Sequence, residues 1–263
     1  MNTILKYPRT PHIEGSRYQP GDEDMDSVRF STIANRFIVV EEKVDGANCG
    51  VSFSPDGELL LQSRGHYLTG GYREKHFNLF KTWANAHENE FWDMLTDRYI
   101  LYGEWLYAKH TVFYDQLPHY FMEFDIYDKV EAKFLSTAMR RRILNNYPFI
   151  VSVLVLFEGK MHQQKDLAGL LGPSNFISGT AVEKLKAVCS RRGLDVTQVL
   201  HETNVESLME GLYIKVEEDG AVKERYKYVR ASFLTKILDS ESHWLNRPII
   251  PNMLKDGLDL FTI

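Results

Sequence analysis

Between residues 37 and 64 apolar and polar positions fall into short blocks, FIVVEEK, GANCGVSFS and ELLLQSR, separated by Asp45-Gly46 and by Pro55-Asp56-Gly57. Blocks of this length with turn residues between them predict strand, turn, strand, turn, strand: an antiparallel meander. From Glu74 the period changes. Phe77, Phe80, Ala84, His87, Phe91 and Leu95 recur three and four apart, the spacing of one helix face built from two or more segments. YILYGEWLY (99–107) and YFMEFDIYD (120–128) return to strand character. A helix from Leu135 to about Tyr147 is predicted to turn Leu135, Met139 and Ile143 inward and leave Arg140 and Arg141 outside. VSVLVLFEG (151–159) reads as one strand. The next helix opens on a capping box, Thr180-Ala-Val-Glu183, closes at Gly193, and buries Val182, Leu185, Val188 and Cys189. GLYIKVE and ERYKYVR are the last strands, joined by a turn at Glu218 to Gly220. Meanders with interspersed helices make the expected class α+β, in one domain over residues 1–263.

A chain of 263 residues with 44% hydrophobic and 25% charged content is ordinary for a folded soluble protein and can bury a substantial core. The formal charge of -5 argues against nucleic-acid binding by a uniformly basic surface; any such contact has to be local. Cys49 and Cys189 lie far apart without metal-ligand spacing, so a disulfide framework and a structural zinc site are not expected. The beginning, MNTILKYPRTPHIEGSR, carries no apolar leader, and the apolar run FIVSVLVLF is about half a membrane span, which gives the expectation of a cytoplasmic protein with no membrane partner.

Chemistry enters at four places. Lys43 stands at the end of an apolar run beside Asp45-Gly46, where a hairpin turn and a nucleophilic site are both compatible with the tetrapeptide. Glu104 ends an otherwise apolar row shared with Ile100 and Tyr102. Glu210 opens EGLYIK at a strand entrance, where a carboxylate can hold a hydrated cation through its waters. In ERYKYVR, alternation sends Arg225 and Lys227 to one face and Tyr226 and Tyr228 to the other, so two cations converge on one side.

As an ordered set these segments resemble the covalent nucleotidyltransferase superfamily of ATP-dependent ligases and capping enzymes, most closely the RNA ligase 2-like family. EKVDGAN at 42–48 resembles the first motif, SRG at 63–65 the arginine motif, YGEW at 102–105 the third, FMEFDIYD at 121–128 the segment after it, EGLYIK at 210–215 the fourth and ERYK at 224–227 the fifth. The resemblance implies a nucleotidyltransferase (ATP-grasp-like) domain of antiparallel sheets flanked by helices, without an OB or helical C-terminal domain. It implies a ping-pong reaction: the Lys43 amine takes AMP from ATP, AMP passes to a 5'-phosphate, and a 3'-hydroxyl displaces it to seal the strand.

The implied roles follow position by position. Lys43 is the nucleophile; Asp45, Arg225 and Lys227 join it as catalytic residues, Lys227 also touching the nucleotide. Glu42 would contact the adenine edge, Phe124 would stack on the base, and Arg64 and Glu104 would bind the AMP phosphate and ribose. Glu210, and Glu104 with it, would hold Mg2+ through waters, with Mn2+ able to substitute. Asn48, Lys215 and Asp125 complete the set, Asn48 being a candidate for the later, nucleic-acid-bound steps, while alternation turns Lys215 away from Glu210. Phe124 by the same alternation shares a face with Met122 and Ile126, where core packing competes with stacking.

Two departures leave the substrate open. Asp45 stands where the phage founding member of the family has His and where DNA ligases have Asp, and Arg225 replaces a lysine, keeping charge but not geometry. The resemblance implies RNA with 3'-hydroxyl and 5'-phosphate ends as substrate and an end-healing kinase or phosphatase as a partner in RNA repair. A DNA ligase, a capping-type nucleotidyltransferase and a non-catalytic nucleotide- or RNA-binding subunit are the alternatives. YPRTPHIEGSR reads as a structured loop over the sheet. The basic runs Arg140 to Arg142 and Lys184, Lys186, Arg191 and Arg192 read as solvated helix faces or phosphate-tracking patches.

Overall fold

The computed structural model describes residues 4–18, 27–233 and 247–261. Its strands are β1 (His12–Ile13), β2 (Ser27–Val28), β3 (Phe37–Lys43), β4 (Ala47–Phe53), β5 (Leu59–Ser63), β6 (Tyr99–Trp105), β7 (Phe121–Asp128), β8 (Lys133–Phe134), β9 (Val151–Ser152), β10 (Val155–Lys160), β11 (Gly211–Glu218) and β12 (Ala221–Val229). The helices are α1 (Asn78–Ala86), α2 (Glu88–Leu95), α3 (Thr137–Leu144), α4 (Gln164–Ala168), α5 (Ala181–Arg191) and α6 (Val196–His201). The α+β class stands.

The strands form two sheets. One has the order β10-β3-β11-β12-β1-β2, the other β5-β4-β6-β7-β8 with β9 added against β7. The expected meander over 37–64 is therefore corrected at its first turn. β4 and β5 do pair around the Pro55-Asp56-Gly57 turn, but β3 and β4 belong to different sheets, so Val44 to Gly46 is a crossing and not a hairpin. VSVLVLFEG is corrected in the same sense: β9 joins β7 in one sheet and β10 joins β3 in the other. An apolar run is legible as a strand, but whether it continues in one sheet depends on partners far along the chain. The final hairpin agrees with expectation, with Asp219 at φ 50° and Gly220 at φ 71° between β11 and β12.

α1 and α2 lay Phe80, Trp83, Ala84, Phe91 and Leu95 onto the outer face of the β4-β6-β7 sheet, against Cys49, Val51, Leu101, Phe121 and Ile126. Each large ring buried there contributes about 2 kcal/mol of transfer free energy. The outer face of the other sheet carries Ile38, Val40, Leu212, Ile214, Val216 and Tyr226. The inner faces meet across a polar cleft.

α3 is rotated from its predicted setting. Thr137, Arg140 and Leu144 are buried, Met139 is exposed, and Arg140 points between the sheets. Ion pairs with buried carboxylates outweigh the apolar template there. The expected capping box at α5 does not form: the Thr180 side chain accepts no bond from the helix, and its hydroxyl meets Ser178 Oγ at 3.0 Å instead. Leu185 and Cys189 are buried as expected, while Val182 and Val188 are half-buried. Both cysteines are free and buried.

Candidate active site

On β3 alternation places Val39, Glu41 and Lys43 on the cleft face and Ile38, Val40 and Glu42 on the outer one. Lys43 is the last residue of the strand, and its Cα partner on β11 is Gly211. A Cβ at Gly211 would stand 1.9 Å from Tyr228 O, so only glycine lets the strand entrance carry Glu210 up to the lysine. Gly46 is equally enclosed, since its Cβ would meet Leu106 Cδ2 at 2.7 Å and Trp105 O at 2.8 Å, which holds the crossing close to β6. The result is an ion pair of 2.6 Å between Lys43 Nζ and Glu210 Oε1, with Glu210 almost fully buried.

Three carboxylates, Glu210, Glu104 and Asp45, act on one ammonium. Burial alone would lower the proton affinity of Lys43, but Glu210, Glu104 and Asp45 outweigh it and the net direction is upward. Glu104 is pushed up to about 8 by burial, and by Glu210 and Asp45, against the opposing pull of Lys43. Its Cα partner on β4 is Asn48, whose Oδ1 is buried without a hydrogen-bond partner in the chain. Asp45 is committed elsewhere: it accepts the Thr111 and Val112 amides at 2.7 and 2.9 Å, and its own amide donates to Tyr114 Oη at 2.8 Å. Those bonds fix the crossing that presents Lys43.

Arg225 and Lys227 share the cleft face of β12, as alternation predicts, Lys227 opposite Tyr213 and Arg225 opposite Lys215. They do not form one cluster. The Arg225 guanidinium lies 4.0 Å from the Phe134 ring centroid and 3.7 Å from Asp125 Oδ2, and its Nε and Nη2 have no hydrogen-bond partner. Lys215 is fully buried between Glu41 (2.9 Å) and Asp125 (3.3 Å) and donates to Phe124 O, so it is enclosed and does not open beside Lys43. Arg64 is exposed just past β5.

One expectation changes, at Phe124. The Glu42 side chain lies on the other face of β3 from Lys43 and accepts from Ser174 Oγ (2.6 Å) and Asn175 Nδ2 (2.7 Å), while Glu41 faces the cleft. Phe124 does not share a face with Ile126. The β6-β7 register runs Tyr102↔Asp125 then Gly103↔Glu123, so Phe124 is a bulged residue without a partner on β6, and Ile126 packs in the opposite core. Sequence reasoning missed Glu41, Arg140, Glu123 and Tyr7. The signal for Glu41 was present: two glutamates in succession before Lys43 cannot both face solvent in a strand buried on both sides.

Beside β10 lies a cavity of about 390 Å³, bordered by Met122, Val153, Val155 and Phe176 with Ser152 and Arg140 on its polar side. Leu154, also on its wall, accepts the Glu42 amide at 2.9 Å, one residue from Lys43. Among the described residues no group of three or more His, Cys, Asp or Glu makes a metal cage. Glu104 and Glu210, two carboxyl groups beside Lys43, fit a hydrated divalent ion held through waters rather than a chelated one.

The raised Glu104 predicts an inverted pH dependence of stability. The folded protein keeps a proton there that the unfolded chain releases near 4.5, so stability falls as pH rises from about 5 to about 8, by at most about 1.4 kcal/mol per unit. Melting temperature should decline across pH 6 to 8, and Glu104→Gln should flatten that decline. An unchanged slope in the variant would place the titrating group elsewhere.

The chain matches a family model described as RNA ligase over residues 36–229, more than half of its length. No curated protein sequence matches it. Among solved structures, a variant of Naegleria gruberi RNA ligase with AMP and Mn superposes with a TM-score of 0.58 at 17% identity, covering 91% of this chain and 60% of that one. Another variant of the same ligase, with ATP and Mn, gives 0.54 at 19% identity and the same coverages of 91% and 60%. The chain thus spans about 60% of the length of those structures, and the likeness is one of fold.

Proposed function

Since this chain belongs to the RNA ligase family, we propose that it is an ATP-dependent RNA ligase, joining 3'-hydroxyl and 5'-phosphate ends through a lysyl-AMP on Lys43. The observation that carries this reading is the Lys43 amine itself, held at a strand end by a 2.6 Å ion pair to a buried glutamate, on the same cleft face as Lys227. Lys43 attacks the α-phosphorus of ATP; a P–N bond forms and pyrophosphate leaves. An RNA 5'-phosphate oxygen then takes the AMP from the lysine, and a 3'-hydroxyl attacks that 5'-phosphorus and expels AMP.

The chain's residues supply distinct parts. Glu210 keeps the amine protonated at rest, so the nucleophile becomes free only when that carboxylate finds another positive partner. A divalent ion, Mg2+ or the Mn that accompanies the Naegleria ligase, would supply that charge at Glu104 and Glu210 and offset charge on the phosphates. Lys227 faces the developing phosphate charge from β12. Asn48 Oδ1, buried and unpaired, is an acceptor for a ribose hydroxyl or a nucleic-acid donor. The cavity bordered by Met122 and Phe176 takes the base, with Phe124 packed against the same apolar cluster as those two residues. Magnesium dependence, a cytoplasmic setting, RNA repair and an end-healing kinase or phosphatase partner complete the reading.

The test is sealing of nicked duplexes whose 3'-hydroxyl strand is RNA or DNA, with 5'-phosphorylated acceptors. RNA at the 3'-hydroxyl side is expected to seal at least about tenfold faster than all-DNA nicks. Equal rates would make this a DNA ligase, and label taken from GTP alone would make it a capping-type nucleotidyltransferase.

A further inference from the structure

The segment before β1 bridges the two sheets. Leu5 O accepts from Gln62 Nε2 (3.0 Å) and Tyr102 Oη (2.7 Å) on one sheet, and Pro11 O accepts the Lys227 amide (2.9 Å) on the other. Tyr7 hangs inward between those anchors, 7% exposed. Its hydroxyl donates to Asp125 Oδ2 and lies 2.7 Å from Tyr213 Oη, which also meets Thr10 Oγ1 at 3.1 Å. Its ring meets Phe124 edge-on, with centroids 5.1 Å apart at 77°, and the Arg225 guanidinium lies 5.4 Å from its centroid.

Phe124 is the bulged residue of β7, with no ladder partner on β6, β8 or β9 to aim its side chain. It touches two apolar clusters, that of Tyr7 and Tyr102 on one side and that of Met122, Val44 and Phe176, which borders the cavity, on the other. Bridging the sheets needs only the carbonyls of Leu5 and Pro11. The Tyr7 side chain goes instead to Asp125, Tyr213, Phe124 and Arg225.

We propose that Tyr7 is a positioning residue for the nucleotide: its ring backs Phe124 so that the opposite side of that phenyl meets the base. The proposal rests on the ATP-dependent reading above. In single-turnover label transfer from α-labelled ATP, Tyr7→Ala should raise the half-saturating ATP concentration about tenfold or more while the rate at saturating ATP stays within about threefold of wild type. Tyr7→Phe keeps the ring and should restore near-wild-type half-saturation. The rate on a saturating pre-adenylylated RNA strand should stay within about threefold in both variants, which shows that the fold is intact. Unchanged half-saturation in Tyr7→Ala overturns the proposal, as does a Tyr7→Phe variant as impaired as Tyr7→Ala, or a Tyr7→Ala variant that loses both reactions together. Absence of label on the wild-type protein would overturn the lysyl-AMP reading and this proposal with it, whereas label with normal ATP dependence in both variants sinks only the role of Tyr7.

Discussion

Lys43→Ala is expected to abolish transfer of label from α-labelled ATP to the protein, a loss of at least about 10⁴-fold, because Lys43 is the one lysine of β3 and supplies the nitrogen of the P–N bond. Lys215 does not substitute, being fully buried between Glu41 and Asp125, and Lys227 sits two strands away across β11. Sealing of a pre-adenylylated strand should survive in the variant, since that step needs a 3'-hydroxyl nucleophile and not the lysine. Residual labelling in Lys43→Ala would show a different nucleophile, and loss of both reactions would show that the substitution damaged the site as a whole. The substitution removes one side of a single ion pair, that of Lys43 with Glu210, and leaves the β3-β11 ladder intact.

Arg140→Ala should have the largest effect on stability. The guanidinium is 2% exposed, with Nη1 2.6 Å from Glu123 Oε1 and Nη2 2.8 Å from Glu41 Oε1, so it joins α3 to both sheets. Removing it leaves two buried carboxylates short of a cation, at a cost of about 3–5 kcal/mol. For a chain of this size that is a fall in melting temperature of about 6–20 °C. The pH dependence identifies the cause. Burial already holds Glu41 above its ordinary range with Lys215 and Arg140 beside it. Without Arg140 it rises further, so the folded variant binds protons that the unfolded chain lacks and the deficit shrinks as pH falls toward 5. Thermal melts of both proteins at pH 5 and 7.5 test this; an equal deficit at both pH values would assign the loss to packing alone.

The same network explains why Arg140 was illegible in the sequence. A helix template ranks arginine as outward, and three arginines in a row strengthen that ranking. Its inward setting depends on Glu41 and Glu123, which stand 99 and 17 positions away in the chain. Phe124 failed for a related reason: one bulge reverses the period-two rule beyond it. By contrast Arg225 and Lys227 were correctly paired on one face, because β12 runs without interruption there. Alternation could not say that Arg225 would lie over Phe134 and Lys227 elsewhere, since the opposite wall of the cleft comes from another sheet.

What the sequence determined by itself is local and periodic: the strands at 37–43, 99–105, 121–128, 211–218 and 221–229, the helical face from Phe77 to Leu95, and the order of short charged motifs ending at Lys227. These follow from side-chain direction along a single element, which needs no knowledge of neighbours. The tertiary structure decided which strands share a sheet. It turned the Asp45-Gly46 bend into a crossing between sheets, split residues 151–159 between them, set Glu41 on the cleft face against Arg140 and drew Tyr7 against Asp125. The physical reason is common to all four. A charge or a bend is placed by the partner that compensates it, and here those partners arrive from far along the chain, Lys215 to Glu41 across 174 positions and Tyr7 to Asp125 across 118.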